Sequence, residues 1–213
     1  DYSMTLGEMF DEAAEKYTND PAIWFLDTWI TYKKLKDMID RMATYLHQIG
    51  VKKGDVVAIH MPNSIQYEVA YFGIAKIGAV STGINPTYKP LEILHQLKIT
   101  GAKHIIVLDT LYKDYIEKII DKWEFKKVIF SNVVDLASGI SGFKKFLGKL
   151  LGKIPKAKVE HPNGVSILEV LKTKPNVPKV EINAPEDAAT LIMTGGTTGV
   201  PKAAELTHMN VVS

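Results

Sequence analysis

A chain of 213 residues, 46% hydrophobic and 23% charged, carries enough apolar material for a sizeable core and has the balance of an ordinary globular protein. Its net charge is +2 and Arg41 is its lone arginine, which points away from nucleic acid, where bidentate arginine contacts read the bases. There is no cysteine, which excludes disulfides, thiolate metal sites and a thiol nucleophile. No apolar run nears the ~18 residues of a bilayer span, and a cytoplasmic protein is expected.

The chain opens on Asp1 without a signal peptide or a methionine, so a native start further upstream is expected. Thr5-Leu6-Gly7-Glu8 has the form of a capping box. It predicts a helix to about Tyr17, with Leu6, Met9, Phe10, Ala13 and Tyr17 facing inward. Asn19-Asp20-Pro21 ends that helix, and Ala22–Leu26 and Trp29–Thr31 read as short strands. Trp24, Phe25 and Trp29 are expected in the core. Helical spacing resumes from Tyr32 to Ile49, closed by Gly50. Val56–His60 is an apolar strand of the buried parallel type. A helix follows Pro62-Asn63-Ser64, with Asn63 and Gln66 able to form a box, and ends at Gly78. Ala79–Ile84 is a strand, Asn85-Pro86-Thr87 a turn, and Pro90 sits near the start of a helix to about Ile99. His104–Leu108, Leu111–Trp123 and Val128–Phe130 then read as strand, helix and strand. Alternation with short connections predicts an α/β fold, a mainly parallel β-sheet flanked by helices.

The stretch 133–185 changes character. Phe143, Phe146, Leu147, Leu150, Leu151 and Ile154 fall on one stripe of a helix, with Lys145, Lys149 and Lys153 opposite. Residues 143–158 hold six lysines and no acid. Such a helix is either a peripheral membrane or partner contact through 143–154, or an element packed on its own protein with a solvated lysine face. Ser166 caps a short helix to Leu171, and residues 172–184 form a connector.

Ala188–Met193 reads as a buried strand, expected in a neighbouring sheet, that empties into Thr194-Gly195-Gly196-Thr197-Thr198-Gly199. Glycines let backbone N–H groups converge on an anion, threonines add hydroxyl donors, and Lys202 adds a cation beside them. Those groups suit a polyphosphate. The pattern is not G-x-x-x-x-G-K-[ST], because Pro201 precedes Lys202 and Ala203 follows it. A glycine-rich surface turn with a stray lysine is the bland alternative. The six histidines show no metal-ligand spacing and are read as structural, His208 as a residue that caps and orients the helix after the loop.

The run from Thr194 to Lys202, with Leu206, Thr207, His208 and Asn210, resembles the phosphate loop of the adenylate-forming superfamily: acyl-CoA synthetases, luciferases and adenylation domains. Ala203 and Ala204 depart from its usual Gly and Val. Met61–Tyr67, Lys76–Val80 and Asn85–Glu92 resemble segments of fatty acid–CoA ligases. The resemblance implies ATP-dependent activation of a fatty acid to acyl-AMP and then acyl-CoA, with ATP, Mg²⁺ and coenzyme A. Thr194, Gly195, Gly196, Thr197, Thr198, Gly199 and Lys202 would hold the β,γ-phosphates, with no nucleic-acid partner; a homodimer stays open. It divides the chain into a βα-alternating part (1–135), a basic insertion (138–158) and a connector with the phosphate-loop segment (159–213). Relatives carry a Y-G-x-T-E motif and a C-terminal domain with a catalytic lysine. Neither is here, so an N-terminal fragment, inactive alone and without an identifiable catalytic or metal residue, is expected. The alternatives are an adenylating enzyme for an aryl or amino acid and a non-catalytic nucleotide-binding module.

Overall fold

The computed structural model describes residues 4–194 and 202–213. Helix α1 (Leu6–Lys16) starts on the expected box: Thr5 Oγ1 accepts from Glu8 N and Glu8 accepts from Thr5 N. A hairpin follows, β1 (Pro21–Phe25) and β2 (Thr28–Thr31), with Leu26 and Asp27 in the left-handed region at its turn. Period two then overrides the expectation for the tryptophans. Buried Ile30 faces inward, so Trp29 faces out, and Trp24 and Trp29 stand 59% and 65% exposed, their ring centroids 6.4 Å apart.

Thr31 caps α2 (Tyr32–Gln48), which leads to β3 (Val56–His60), α3 (Ile65–Lys76) and β4 (Val80–Gly83). The cap of α3 is Ser64, whose hydroxyl accepts from Tyr67 N; the Asn63–Gln66 box does not form. Gln66 is buried instead, and its amide donates to Asn132 O at 2.9 Å. Pro90 occupies the first turn of α4 (Pro90–Thr100), and Gly101 closes it at φ 70°.

After β5 (His104–Leu108), the helix expected over 111–123 is a relay of shorter pieces: α5 (Asp109–Leu111), a π turn (Tyr112–Ile116) and a 3-10 turn (Glu117–Ile119). Tyr112, Ile116 and Ile119 all point inward, and the buried Tyr112 ring sits where the backbone widens. Next come β6 (Lys127–Ser131), α6 (Gly142–Leu150), β7 (Gly164–Ser166) and α7 (Ile167–Val170). The chain closes with β8 (Ala188–Thr194), β9 (Lys202–Thr207) and α8 (His208–Val212).

Seven strands form one sheet in the order β7-β6-β5-β3-β4-β8-β9, parallel except for β8–β9. Alternate residues feed two cores. Val57, Ile59, Ile106 and Ile129 face α2 and α3, while Ala58, Ile105, Val107 and Val128 face α4 and the π turn. Each buried isoleucine contributes about 2 kcal/mol by leaving water.

Strand β8 was expected in a neighbouring sheet. It pairs with β4 in this one, Ser81 opposite Thr190 and Thr82 opposite Leu191. Hydroxyls lock the seam: Ser81 donates to Ala189 O, Thr190 to Ser81 O and Thr82 to Leu191 O, at 3.2–3.3 Å. Helix α6 is also turned against the packed alternative. Lys145 and Lys149 are half-buried, and Phe143, Phe146, Leu150 and Leu151 face out.

Candidate functional site

Parallel strands end along one edge, and in open α/β sheets ligands bind outside that edge. Here it is marked by His60, Gly83, Leu108, Ser131 and Thr194. Lys202 begins the antiparallel β9 at the same edge, in register with Thr194. The Thr194 hydroxyl donates to Lys202 O at 3.1 Å. Lys202 is exposed, and among the described residues no carboxylate pairs with it. The fold therefore brings together the two ends of the expected phosphate loop, one hydroxyl and one uncommitted cation. Gly195, Gly196, Thr197, Thr198 and Gly199 lie outside the described residues.

The seam beneath these ends is polar and closed. Gln96, on α4, donates to Thr82 Oγ1 at 2.9 Å and to Gly83 O at 3.0 Å. Thr82 in turn donates to Leu191 O, so one side-chain chain joins α4, β4 and β8. At Gly83 an added Cβ would meet Tyr67 Oη at 3.1 Å. Asn85 Oδ1 accepts from Thr87 N at 3.0 Å, fixing the turn after β4. Glu92 accepts from Lys89 N and caps α4.

A cleft of about 430 Å³ opens at this edge, lined by Met61, Tyr67, Gly83, Tyr88, Ile192 and Met193. It borders one of about 340 Å³ that includes Leu91, His95 and Gln96. Burial pushes the Tyr67 phenol up, with the Glu68 charge adding to it, and takes Tyr71 to about 12, so both stay protonated at neutral pH. A cleft of about 490 Å³ between α1, β1 and α3, lined by Phe10, Phe25 and Phe72, shares Asn63 with the edge cleft. Neither lining includes Thr194 or Lys202, but the edge cleft takes Ile192 and Met193 from β8 just before Thr194, whereas the larger cleft touches no residue of β8 or β9.

His60, at the end of β3, is fully buried. Its Nδ1 lies 3.3 Å from Ile84 O, and burial lowers its pKa to about 4. Among the described residues no group of three His, Cys, Asp or Glu side chains is assembled to hold a metal ion.

Sequence reasoning missed Gln96, Thr82 and Tyr67 as supports of the edge. For Tyr67 the signal was present, since it closes the Met61–Tyr67 segment that runs into this cleft; Thr82 and Gln96 lie outside the segments singled out. It also missed β9, whose KAAELT carries weak alternation, and β7, only three residues long.

The AMP-binding enzyme family matches residues 10–213. The chain belongs to that family. A long-chain-fatty-acid–CoA ligase of Escherichia coli O157:H7 is 36% identical over 217 residues, covering 100% of this chain and 38% of that protein. The 4-coumarate–CoA ligase 3 of Arabidopsis thaliana is 31% identical over 186 residues, covering 86% of this chain and 28% of that one. The crystal structure of a long-chain-fatty-acid–CoA ligase from Archaeoglobus fulgidus superposes with a TM-score of 0.74 at 25% identity, over 97% of this chain and 37% of that one. This AMP-binding enzyme chain thus spans 38% of the length of the E. coli relative. Its α/β architecture, with a mainly parallel seven-stranded sheet, is that of the large N-terminal region of adenylate-forming enzymes.

Proposed function

We propose that this chain is the N-terminal part of an enzyme that activates a fatty acid with ATP and transfers the acyl group to coenzyme A. A carboxylate oxygen attacks the α-phosphorus, and the bond to the β-phosphate oxygen breaks. Pyrophosphate leaves, and a thiol sulfur then takes the acyl group and expels AMP. Negative charge grows on the β,γ-phosphates during the first step. Groups fixed before the reaction stabilise that charge without reorganising. Lys202 supplies an ammonium beside Thr194, whose hydroxyl ties the two ends of the loop together, and the loop glycines and threonines would add amides and hydroxyls. The observation that carries this reading is the register of Thr194 against Lys202 at the carboxyl edge of the sheet.

Mg²⁺ would neutralise phosphate charge when bound. The acyl pocket, the adenine site and the catalytic lysine are assigned to the part of the relatives that this chain does not span. The fatty acid is favoured by the E. coli relative, which aligns with all of the chain. An aryl acid is the second reading, favoured by the Arabidopsis relative at 31% identity.

The test is thioester formation by the full-length protein with ATP, Mg²⁺ and coenzyme A across a panel of acids. Faster turnover of long-chain fatty acids than of coumarate supports the first reading, and the reverse supports the second. Release of AMP with none of the acids contradicts both.

A further inference from the structure

Helix α6 is held at both ends and presents its apolar side to water. Before it, Gly139 N donates to Thr28 Oγ1 at 2.8 Å, and a Cβ at Gly139 would collide with the Asp27 carbonyl oxygen. After it, Pro155 O accepts from Asn132 Nδ2 at 2.7 Å, and Ala157 N donates to the buried Asp109 carboxylate at 3.2 Å. The segment is therefore an excursion on fixed anchors. Ser141 caps the helix through Lys144 N.

The orientation inverts the usual one. Lys149 reaches inward to Asp135 at 3.6 Å, and Ile154 folds back against Gly148, where an added Cβ would come within 2.5 Å of Ile154 Cδ1. Phe143, Phe146, Leu150 and Leu151 are left 63–71% exposed. Four large apolar side chains in one patch mark a contact surface, because water disfavours them together. Around that patch Lys144, Lys153 and Lys156 are exposed, and no carboxylate pairs with them among the described residues. With no acid from 143 to 158, the charges that the segment itself contributes to the rim are all cationic.

We propose that this face of α6 docks on an anionic lipid surface, its four apolar side chains entering the acyl boundary while the rim lysines meet headgroup phosphates and carboxylates. Charge complementarity selects the lipid. A covering protein segment would have to match four apolar side chains and three unpaired ammoniums together, which a bilayer interface does by its layered chemistry. Long lysine stems can lie along the apolar layer while their heads stay at the headgroups. The proposal rests on the surface alone and does not depend on which acid the enzyme activates.

The test is co-sedimentation of the full-length protein with phosphatidylcholine vesicles with and without phosphatidylserine, at low and at physiological salt. Two variants accompany it: Phe143→Ser with Phe146→Ser and Leu150→Ser, and Lys144→Gln with Lys153→Gln and Lys156→Gln. Wild type should pellet with the anionic vesicles and less so as salt rises. The serine variant should lose pelleting on both vesicle types. The glutamine variant, whose apolar face is intact, should bind anionic vesicles roughly a hundredfold more weakly. Equal pelleting of all three proteins, or none by wild type at low salt, overturns the proposal. Failure of either kind would assign the face to the rest of the full-length chain or to a second copy.

Discussion

The backbone N–H of Leu6 donates to Nδ1 of His208, 3.2 Å away and 202 residues further along the chain. Leu6 opens α1, and that amide is one of the donors a helix leaves unpaired at its start. His208 was expected to cap the helix that follows the loop. Thr207 does that instead, its hydroxyl accepting from Asn210 N at 3.2 Å. Burial lowers the pKa of His208, although Asp187 and Glu8 pull the other way, so the ring stays neutral and able to accept. The segment that follows Lys202 is thereby tied to the first helix.

Replacing His208 with alanine should lower stability by about 1–2 kcal/mol, the usual cost of a lost helix cap. Urea unfolding reads this directly. An unchanged midpoint would show that the bond contributes nothing.

Protonation of His60 gives a second expectation. Its folded pKa is about 4 against an ordinary 6.5. The unfolded chain therefore takes up a proton that the folded chain refuses. The stabilisation is complete above 6.5 and is lost progressively as pH falls toward about 4. The size is about 3 kcal/mol. Wild type should lose that much more stability over this window than His60→Phe, with both followed by urea midpoints. Parallel curves would contradict the assignment.

Lys76 supplies a third. It is buried between Asp11 of α1 and Asp40 of α2, and Lys36 faces the same two carboxylates. The ammonium joins three helices. Lys76→Met should cost about 1–2 kcal/mol, because two carboxylates lose a buried partner but keep Lys36, and Asp11 is partly exposed. Adding Asp11→Asn and Asp40→Asn should recover part of it. A single variant as stable as wild type in urea would sink this account.

Periodicity and marked ends made α1 to α4 legible, and continuous apolar runs did the same for the central strands, which are buried on both faces. Gly101 in the left-handed region and Pro90 in the first turn are local facts that need no tertiary knowledge. Four features depended on distant partners and were not legible. Trp24 and Trp29 look like core until Ile30 takes the inner face of the hairpin. The π turn is hidden because Tyr112, Ile116 and Ile119 keep helical spacing. Strand β8 could be assigned to a sheet only through Ser81 and Thr82. Lys76 reads as a surface lysine until α1 and α2 fold against it. For the site, the sequence named Thr194 and Lys202 but not the Gln96–Thr82 support, which exists only once β4 and β8 pair.

The most direct measurement is acid-dependent ATP–pyrophosphate exchange by the full-length protein, wild type against Lys202→Ala. Exchange reports adenylation alone, with no contribution from thioester formation. If Lys202 meets the departing pyrophosphate, its loss should cost roughly 2–4 kcal/mol in the transition state, a hundredfold or more in rate, with binding of the carboxylic acid little changed. Exchange at the wild-type rate would contradict the placement of the phosphates at the Thr194–Lys202 edge.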